Sequence, residues 1–276
     1  MSGVCRKLGM NRQNYYARRR QRQRRQVDGE LVAQLVRAER AQQSRIGVRK
    51  LHWMLRGALA AAGVKLGRDR MDEELRGRGL LVEPLPAQIP RTTQSYHPLP
   101  IFQNLVKAQE VKAPNQVWVS DISYVRTAEN FVYLALITDK FSRKIVGYHA
   151  GDSLEALGCV LALEMALAVL PAGEQPIHHS DRGCQYCCHE YVERLHARGL
   201  GIGMTEQDHC AENALAERMN GILKQEYGLG QEFRSQAQAR QAVEQAVYQY
   251  NHRRPHTSLA YRVPAEVHRL GASTLN

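Results

Sequence analysis

Three acidic side chains stand where metal-dependent chemistry is readily built. Asp121 lies in a β-rich segment, Asp181 directly follows another short predicted strand, and Glu217 lies on a long predicted helix. At about 100° per residue, Glu217 shares one helix face with Asn213 and Asn220, opposite an apolar stripe. For a lone Glu a solvated helix face would be the simpler interpretation, but the two Asp residues favour a common site.

Burial makes a metal the natural partner of these carboxylates. Trp118 and Val119 precede Asp121, so its strand is predicted to be buried, where an unpaired carboxylate is costly. Ligation of a cation offsets that cost. Oxygen ligands from separate elements are the donors that Mg²⁺ takes, with water and substrate phosphates completing its shell.

Three other acids compete for the same role. Asp139 precedes a predicted turn, where Asp commonly makes local hydrogen bonds. Asp152 is interpreted as a helix cap. Glu226 lies about 180° around its helix from Glu217, and so faces away from it. The sequence therefore favours Asp121, Asp181 and Glu217.

The elements that must position these carboxylates alternate between strands and helices. Helices on the faces of one sheet give an α/β architecture. The patterns predict strands at 116–125, 130–138, 144–150, 176–180 and 201–205, and helices at 154–170, 190–198, 211–227 and 236–250. A basic tail is predicted from Asn251 to His268.

The front part of the chain carries the excess positive charge. The net charge is +11, and residues 1–110 hold 22 Lys and Arg against 9 Asp and Glu. This asymmetry indicates a polyanion-binding module, with nucleic acid as the leading partner. A membrane surface is the rival, but the arginines alternate with Gln rather than with an apolar face. Without a secretory or membrane-spanning segment in the sequence, we expect a cytoplasmic protein.

Several short helical patterns make up this basic part. Residues Val4–Ala17 fit the last two elements of a helix-turn-helix. Helical spacing continues through residues 30–82, where Lys65–Leu80 predicts one more basic helix, and a protein-interaction bundle would fit the same pattern. An arginine-rich run lies between these two segments, and we predict that it binds phosphates; a solvated helix face is the alternative. Its arginines are Arg18, Arg19, Arg20, Arg22, Arg24 and Arg25.

Proline density predicts the linker between the two parts. Six of the ten prolines fall between Pro84 and Pro114, and prolines at this density prevent long helices. The predicted organisation is a partial helix-turn-helix with a basic arm, a helical DNA-binding domain, a Pro-rich linker, a catalytic core and a C-terminal helix with its tail. Their predicted bounds are 1–26, 27–86, 87–113, 114–230 and 231–276.

Cysteines near the second Asp raise the question of zinc. Cys184 and Cys187 have the spacing of a metal-binding pair, and His178 and His179 lie close by in sequence. A clean second pair is missing, however. We therefore expect no zinc and interpret these cysteines as small, partly buried packing residues.

Longer motifs around the acids resemble a known family. Asp181 and Glu217 are separated by 35 residues, as in the D, D-35-E transposases and retroviral integrases. The segments His178–Tyr186, Glu212–Glu226 and Tyr250–Leu259 resemble the second-frame product of the insertion-sequence-three family of bacterial transposases. The resemblance extends over nearly the whole chain. It departs from the family pattern where Glu212 replaces Asp and where cysteines replace Ser or Thr.

The resemblance implies both a fold and an activity. The fold is a ribonuclease H-like core, a mixed five-stranded sheet with flanking helices, preceded by small all-helical DNA-binding segments. The activity is metal-dependent strand cleavage and strand transfer at insertion-sequence ends, with Asp121, Asp181 and Glu217 as catalytic metal ligands for Mg²⁺, or Mn²⁺ as a substitute. Lys224 is expected to contact terminal phosphates. His178, His179 and Asn213 are expected to support the ligands.

Partners follow from the same resemblance. The DNA partners are the transposon ends and the target. Synapsis of two ends requires a homo-oligomer, and the protein is expected to associate with the bacterial nucleoid. An upstream reading frame would complete the first helix-turn-helix, as a separate protein or a fusion. Two alternatives stay open: a catalytically inactive DNA-binding repressor derived from a transposase, and a ribonuclease H-like nuclease without strand transfer.

Overall fold

The computed structural model describes residues 11–83, 97–107, 109–206 and 213–271. The chain divides into two compact units, Met1–Glu83 and Pro84–Asn276, each of which is described by itself. The helix-turn-helix element predicted at Val4–Ala17 falls mostly outside the described residues, and the five domain bounds stay a prediction. Within the described ranges no helix is long and apolar enough to cross a membrane.

Residues 11–83, the described part of the first unit, contain three helices. They are α1 (Arg12–Arg40), α2 (Val48–Ala61) and α3 (Arg68–Gly77). The Asn11 side chain caps α1 by accepting a hydrogen bond from the backbone N of Asn14 at 2.7 Å. Apolar side chains at helical spacing then close a small core, which includes Val32, Val36, Leu51, Leu55, Leu59, Met71 and Leu75.

Helix α1 is longer than the sequence pattern suggested. A basic arm ending at residue 26 and separate helices after it were expected. One helix of 29 residues instead runs through that position. Arg and Gln have high helix propensity, so the charged run continues the helix instead of interrupting it.

A five-stranded mixed sheet is the centre of the second unit. Its strands are β1 (Val117–Arg126), β2 (Phe131–Asp139), β3 (Ile145–Gly151), β4 (Ile177–Ser180) and β5 (Gly201–Met204), in the order β3-β2-β1-β4-β5. The first three strands pair antiparallel, whereas β4 pairs parallel with β1 on one side and with β5 on the other. The meander followed by parallel strands therefore makes β1 the central strand.

Helices cover both faces of this sheet. They are α4 (Ala156–Ala168), α5 (Cys184–Cys187), α6 (His189–Ala197), α7 (Ala214–Glu226), α8 (Gln236–Arg253) and α9 (Pro264–Leu270). Side chains from α4, α5 and α6 share one apolar core with the sheet, and side chains from α7 and α8 share another. The predicted ribonuclease H-like architecture is confirmed.

Close contact between α4 and β3 depends on one glycine. A Cβ atom at Gly147 would lie 2.1 Å from the backbone O of Ala162 and 2.9 Å from the Cβ of Ala166. Both distances are shorter than real contacts, so any side chain at Gly147 would push the helix away from the sheet. The small residues on both sides allow the helix to pack directly on the strand.

The prediction of a basic tail from Asn251 to His268 is wrong. The segment contains the end of α8, a 3₁₀ turn at Thr257–Leu259 and α9. Asn251 binds both backbone groups of Ile145 at the outer edge of β3, each at 2.9 Å. A polar motif that resembled a tail therefore covers part of a sheet edge, which would otherwise present unpaired backbone groups.

Candidate active site

Two neighbouring parallel strands bring the first two acids to the same region of the sheet. The pairing of β1 with β4 aligns Trp118 with His178 and ends with Val119 opposite His179. Asp121 and Asp181 each lie two residues beyond that last pair. The short β4 ends at Ser180, while β1 continues alongside β2, so Asp121 has no β4 residue beside it. The gap gives the two carboxylates space to face each other.

Helix α7 supplies the third acid and two amides. The Asn213 Nδ2 donates to the backbone O of Ser120 at 3.0 Å, and the Asn220 Nδ2 donates to Asp121 Oδ2 at 2.8 Å. Glu217 lies between these asparagines on the same helix face and is exposed. Two hydrogen bonds thus fix the helix against β1, and the charge of Glu217 acts on Asp121 from this helix without a direct contact. Asn220 was not among the predicted site residues, although its position on the Glu217 face was the available signal.

The electrostatics of Asp121 show that the three acids act on one another. Desolvation, followed by the negative charge of Asp181, raises the pKa of Asp121 to about 7. The hydrogen bonds from Asn220 and from the backbone N of Ile122 lower this pKa, and the charge of Glu217 raises it slightly. Asp121 is therefore a carboxylate whose negative charge is unfavourable unless a cation approaches.

The loop that carries Asp181 is held by backbone interactions. Asp181 Oδ1 accepts from the backbone N of Gly183 at 3.0 Å. The Arg182 Nε donates to the backbone O of Thr205 at 2.8 Å, and His97 contacts the backbone O of Arg182 at 2.7 Å. These bonds join the ends of β4 and β5, so the Asp181 carboxylate is presented from a fixed turn.

Predicted DNA-contacting cations occupy two separate places. Lys224 is half-buried on α7, where desolvation lowers its pKa and the charge of Asp121 opposes that effect. The structure therefore brings Lys224 within electrostatic range of Asp121. The predicted phosphate-binding arginines are all exposed on the first half of α1; they are Arg18, Arg19, Arg20, Arg22, Arg24 and Arg25.

The two predicted supporting histidines point away from one another. His178 is buried in the core, where its Nε2 lies 2.6 Å from Ser120 Oγ and 2.8 Å from Tyr191 Oη. Burial lowers its pKa to about 3, so it is neutral. Strand alternation turns His179 to the other face, where its ring lies close to Gly203. His178 therefore supports the core and contacts neither Asp.

The competing acids have other partners. Asp139 is fully buried and accepts three hydrogen bonds from Asn115 and Ser142. Glu226 forms a two-bond ion pair with Arg254, at 2.7 and 2.8 Å. Asp152 pairs with Arg240, and α4 begins after Glu155, so the interpretation of Asp152 as a helix cap is wrong.

The cysteines near Asp181 make separate contacts. The Cys187 Sγ lies 3.7 Å from Met204 Sδ, and the Cys188 Sγ donates to the backbone O of Gln185 at 3.2 Å. Desolvation raises the pKa of Cys187 to about 11, which keeps it a thiol. In the described ranges, no three His, Cys, Asp or Glu side chains form a ready metal site. The absence of zinc stays a prediction.

The donor set nevertheless fits a hard divalent cation. Asp121 and Asp181 offer carboxylate oxygens from adjacent strands, and Glu217 offers a third from α7. Asn213 Oδ1 and Asn220 Oδ1 are buried acceptors without a hydrogen-bond partner in this structure. Oxygen atoms of this kind suit Mg²⁺ better than they suit zinc or copper. The three carboxylates are not drawn together into a closed ligand cluster, so Glu217 would have to approach the Asp pair.

Family comparisons agree with the fold of the second unit. Residues 111–210 match the family described as Integrase core domain, and residues 198–264 match a second family with the same description. Together these segments include the five strands, all three acids and helix α8, and they end where α9 begins. The second unit thus has the architecture of a polynucleotidyl transferase-type enzyme.

Full-length relatives extend this match to the first unit. The chain is 34% identical over 271 residues to the insertion element IS600 uncharacterized 31 kDa protein of Shigella sonnei, covering 95% of this chain and 96% of that protein. It is 31% identical over 252 residues to transposase InsF for insertion sequence IS3A of Escherichia coli, covering 88% and 84%. The chain belongs to the IS3 family of DDE-type transposases.

Among solved structures, the chain resembles two retroviral proteins. One is the HTLV-2 integrase catalytic core domain in complex with magnesium, with a TM-score of 0.45 and 17% identity over 56% of this chain and 97% of that one. The other is a simian T-cell lymphotropic virus intasome, with a TM-score of 0.49 and 18% identity over 80% of this chain and 74% of that one.

Proposed function

We propose that this chain is an active DNA transposase that cleaves strands at insertion-sequence ends and joins them to target DNA. The observation that carries the proposal is the electrostatic state of Asp121. Its charge is opposed by desolvation, by Asp181 and by Glu217, while Asn220 holds its carboxylate in a fixed orientation. A site built only for stability would neutralise such a carboxylate within the protein, so this arrangement is suited to an external cation and phosphate.

Each residue then has a distinct task. Asp121 and Asp181 would hold Mg²⁺ between adjacent strands, and Glu217 would complete the ligand set from α7. Asn220 orients Asp121, and Asn213 anchors the start of α7 on β1. Bound Mg²⁺ supplies Lewis-acid chemistry, which activates the attacking oxygen and stabilises the leaving one. Mn²⁺ would substitute for it.

Lys224 provides positive charge beside the acids. Its half-buried ammonium lies within the electrostatic range of Asp121. We assign it to a phosphate of the transposon end, where it holds the scissile strand near the carboxylates. No covalent link to a side chain is required, because water and then a DNA 3′-hydroxyl serve as nucleophiles in the two steps of the proposed reaction.

The proposed partners are DNA and further protein copies. The exposed arginines Arg18–Arg25 would bind phosphates without reading sequence. Joining two transposon ends requires at least two active sites, so we propose a homo-oligomer in the synaptic complex. An upstream-frame helix-turn-helix protein, separate or fused, would add end recognition.

A strand-transfer assay tests the proposal. The substrate is a precut duplex copied from the ends of the DNA element that encodes the chain, incubated with Mg²⁺ and a target plasmid. We expect joined products from the wild type and none from Asp121→Asn, Asp181→Asn or Glu217→Gln. Asp152→Asn is the matched control, because Asp152 is an exposed acid that pairs with Arg240 outside the site.

Each alternative gives a different result. Nicking of the ends without joined products would assign a nuclease that lacks strand transfer. End binding without nicking would assign an inactive DNA-binding protein. Full activity in one of the three variants would remove that residue from the proposed ligand set.

A further inference from the structure

The two short helices of the first unit differ sharply in charge. Helix α2 contains Arg49, Lys50 and Arg56 and no acidic residue. Helix α3 contains three arginines together with four acids, Asp69, Asp72, Glu73 and Glu74. The sequence pattern predicted that the α3 region is a basic helix. In helix-turn-helix proteins, the second helix enters the DNA groove.

Most of the arginines in the α3 region form ion pairs with nearby carboxylates. Arg68 pairs with Asp69 at 2.7 Å and Arg76 with Asp72 at 2.9 Å. Arg78, just after the helix, pairs with Glu74 at 2.7 Å and with Glu30 of α1 at 2.9 Å. Such pairs add little stability at a surface, but their carboxylates repel an approaching phosphate. Helix α3 is therefore poorly suited to the DNA backbone.

Helix α2 presents a different outer surface. Its inner side is formed by Leu51, Leu55 and Leu59, which are buried. At about 100° per residue, Arg49, Trp53 and Arg56 fall within roughly 60° of one another on an outer side. In the described part of the chain, neither Arg49 nor Arg56 makes an ion pair with a carboxylate.

Stacking holds one of these arginines in place. The guanidinium of Arg56 lies 3.2 Å from the centre of the Trp53 ring. A stacked guanidinium keeps its N–H groups in its own plane, directed outward from the ring edge. Arg56 is thus oriented before it meets a phosphate, which reduces the entropy lost on binding.

We propose that the first unit binds the phosphate backbone of duplex DNA through the Arg49–Trp53–Arg56 face of α2, and not through α3. The proposal rests on the proposed function, in which this chain binds DNA. It adds, beside the proposed contacts of Arg18–Arg25 on α1, which of the two short helices binds DNA. Because phosphates carry no sequence information, this face contributes equally to binding of transposon ends and of unrelated duplexes.

Paired substitutions in the full chain test this assignment. Arg49→Gln combined with Arg56→Gln changes α2, and Arg70→Gln combined with Arg76→Gln removes the same charge from α3. We expect the α2 variant to bind both an end duplex and an unrelated duplex about tenfold more weakly near 0.1 M salt. Its salt slope should fall by about two units, since each phosphate contact contributes about 0.9. The α3 variant should stay within about twofold of wild type. Equal melting temperatures would show that both variants are folded.

Tryptophan fluorescence gives a direct readout of the same face. The sequence has two tryptophans, and Trp118 is 1% exposed in the sheet core. We expect DNA to change the emission of the wild type and to leave the Trp53→Phe variant unchanged.

The outcomes separate this inference from the proposed function. Unchanged binding by the α2 variant, or a larger loss in the α3 variant, overturns the assignment to α2 while strand transfer by the wild type still supports the proposed function. A wild-type chain that binds no duplex overturns both.

Discussion

Two acids on adjacent strands, the fully buried Asp139 and the partly buried Asp121, differ in how their surroundings balance the carboxylate charge. Asp139 ends β2 and accepts bonds from Asn115 N, Ser142 N and Ser142 Oγ at 2.6 to 2.7 Å. Asp121 in β1 accepts two, one of them from its own neighbour, Ile122. Asp139 is enclosed by donors, whereas Asp121 lies within the electrostatic range of two other acids.

The surroundings of the two acids balance the carboxylate charge to different degrees. The turn around Asp139 satisfies its acceptor oxygens locally, and His268 of α9 lies 3.7 Å from Oδ1. At Asp121 the neighbours raise the pKa instead of neutralising the charge. Burial alone does not distinguish the two acids, because both are at least partly removed from water. The charges around them do, and they are the reason why we propose a functional role for Asp121 and none for Asp139.

The first prediction exchanges the two acids for amides. Asp121→Asn should reduce strand transfer on the order of a thousandfold without loss of stability, because it removes a ligand charge and a repulsion. Asp139→Asn should place an amide NH₂ against backbone donors and cost roughly 1–3 kcal/mol. Thermal melts and the strand-transfer assay measure both effects. Loss of strand transfer in Asp139→Asn at unchanged stability would contradict the assignment of a purely stabilising role to Asp139.

The second prediction concerns His178, a buried group that, like Asp139, has hydrogen-bond partners in the core. Its pKa is about 3 in the folded chain and 6.5 when exposed. Between those values the unfolded chain binds a proton that the native chain does not. Stability should therefore fall as the pH drops from about 6.5 to 3, by about 1.4 kcal/mol per unit of pKa difference.

Urea unfolding across that pH range measures the effect. His178→Gln should flatten the profile, because a Gln in the same place cannot take up the proton. The exposed His252→Gln should keep the wild-type slope. If both variants show the wild-type slope, His178 is not the buried group that titrates.

The third prediction concerns the metal. Without Mg²⁺, Asp121→Asn should be more stable than wild type by about 1–3 kcal/mol, since desolvation and Asp181 oppose the Asp121 charge. Millimolar Mg²⁺ should raise the melting temperature of the wild type, because a ligand that binds only the folded state stabilises it. The Asp121→Asn variant should lose this shift, while Asp152→Asn keeps it. An equal shift in all three chains would place the Mg²⁺ elsewhere.

Sequence patterns predicted the elements of the sheet and placed Asp121 within β1, Asp181 just after β4 and Glu217 on α7. Strand alternation and apolar spacing are local properties, so β1, β4 and α7 were predicted within a few residues of their observed bounds. Pairing partners are not local. The sequence set Asp139 aside because a turn was predicted after it, but only the structure shows the donors that this turn provides and the bond from Asn220 to Asp121.

The partners of charged side chains could not be predicted from local sequence patterns either. Counting arginines made the α3 region basic, because counting cannot show that Arg68, Arg76 and Arg78 face carboxylates of the same unit. The C-terminal motif was likewise predicted to be a basic tail. Its Asn251 and Arg254 have partners in β3 and α7, more than twenty residues away, which no local pattern reveals.

The last and smallest effect separates the two asparagines of α7. Asn220 donates to the Asp121 carboxylate, whereas Asn213 donates to a backbone carbonyl of the same strand. Because the Asn220 bond favours the ionised form, Asn220→Ala should raise the pKa of Asp121 further. Strand transfer should fall about tenfold, with end binding unchanged, and the acid limb of the pH–rate profile should move to higher pH. Asn213→Ala removes an anchor of the helix without touching a carboxylate, so it should lower the melting temperature and leave the position of that limb unchanged. If the limb moves equally in both variants, helix docking rather than the orientation of Asp121 controls the reaction.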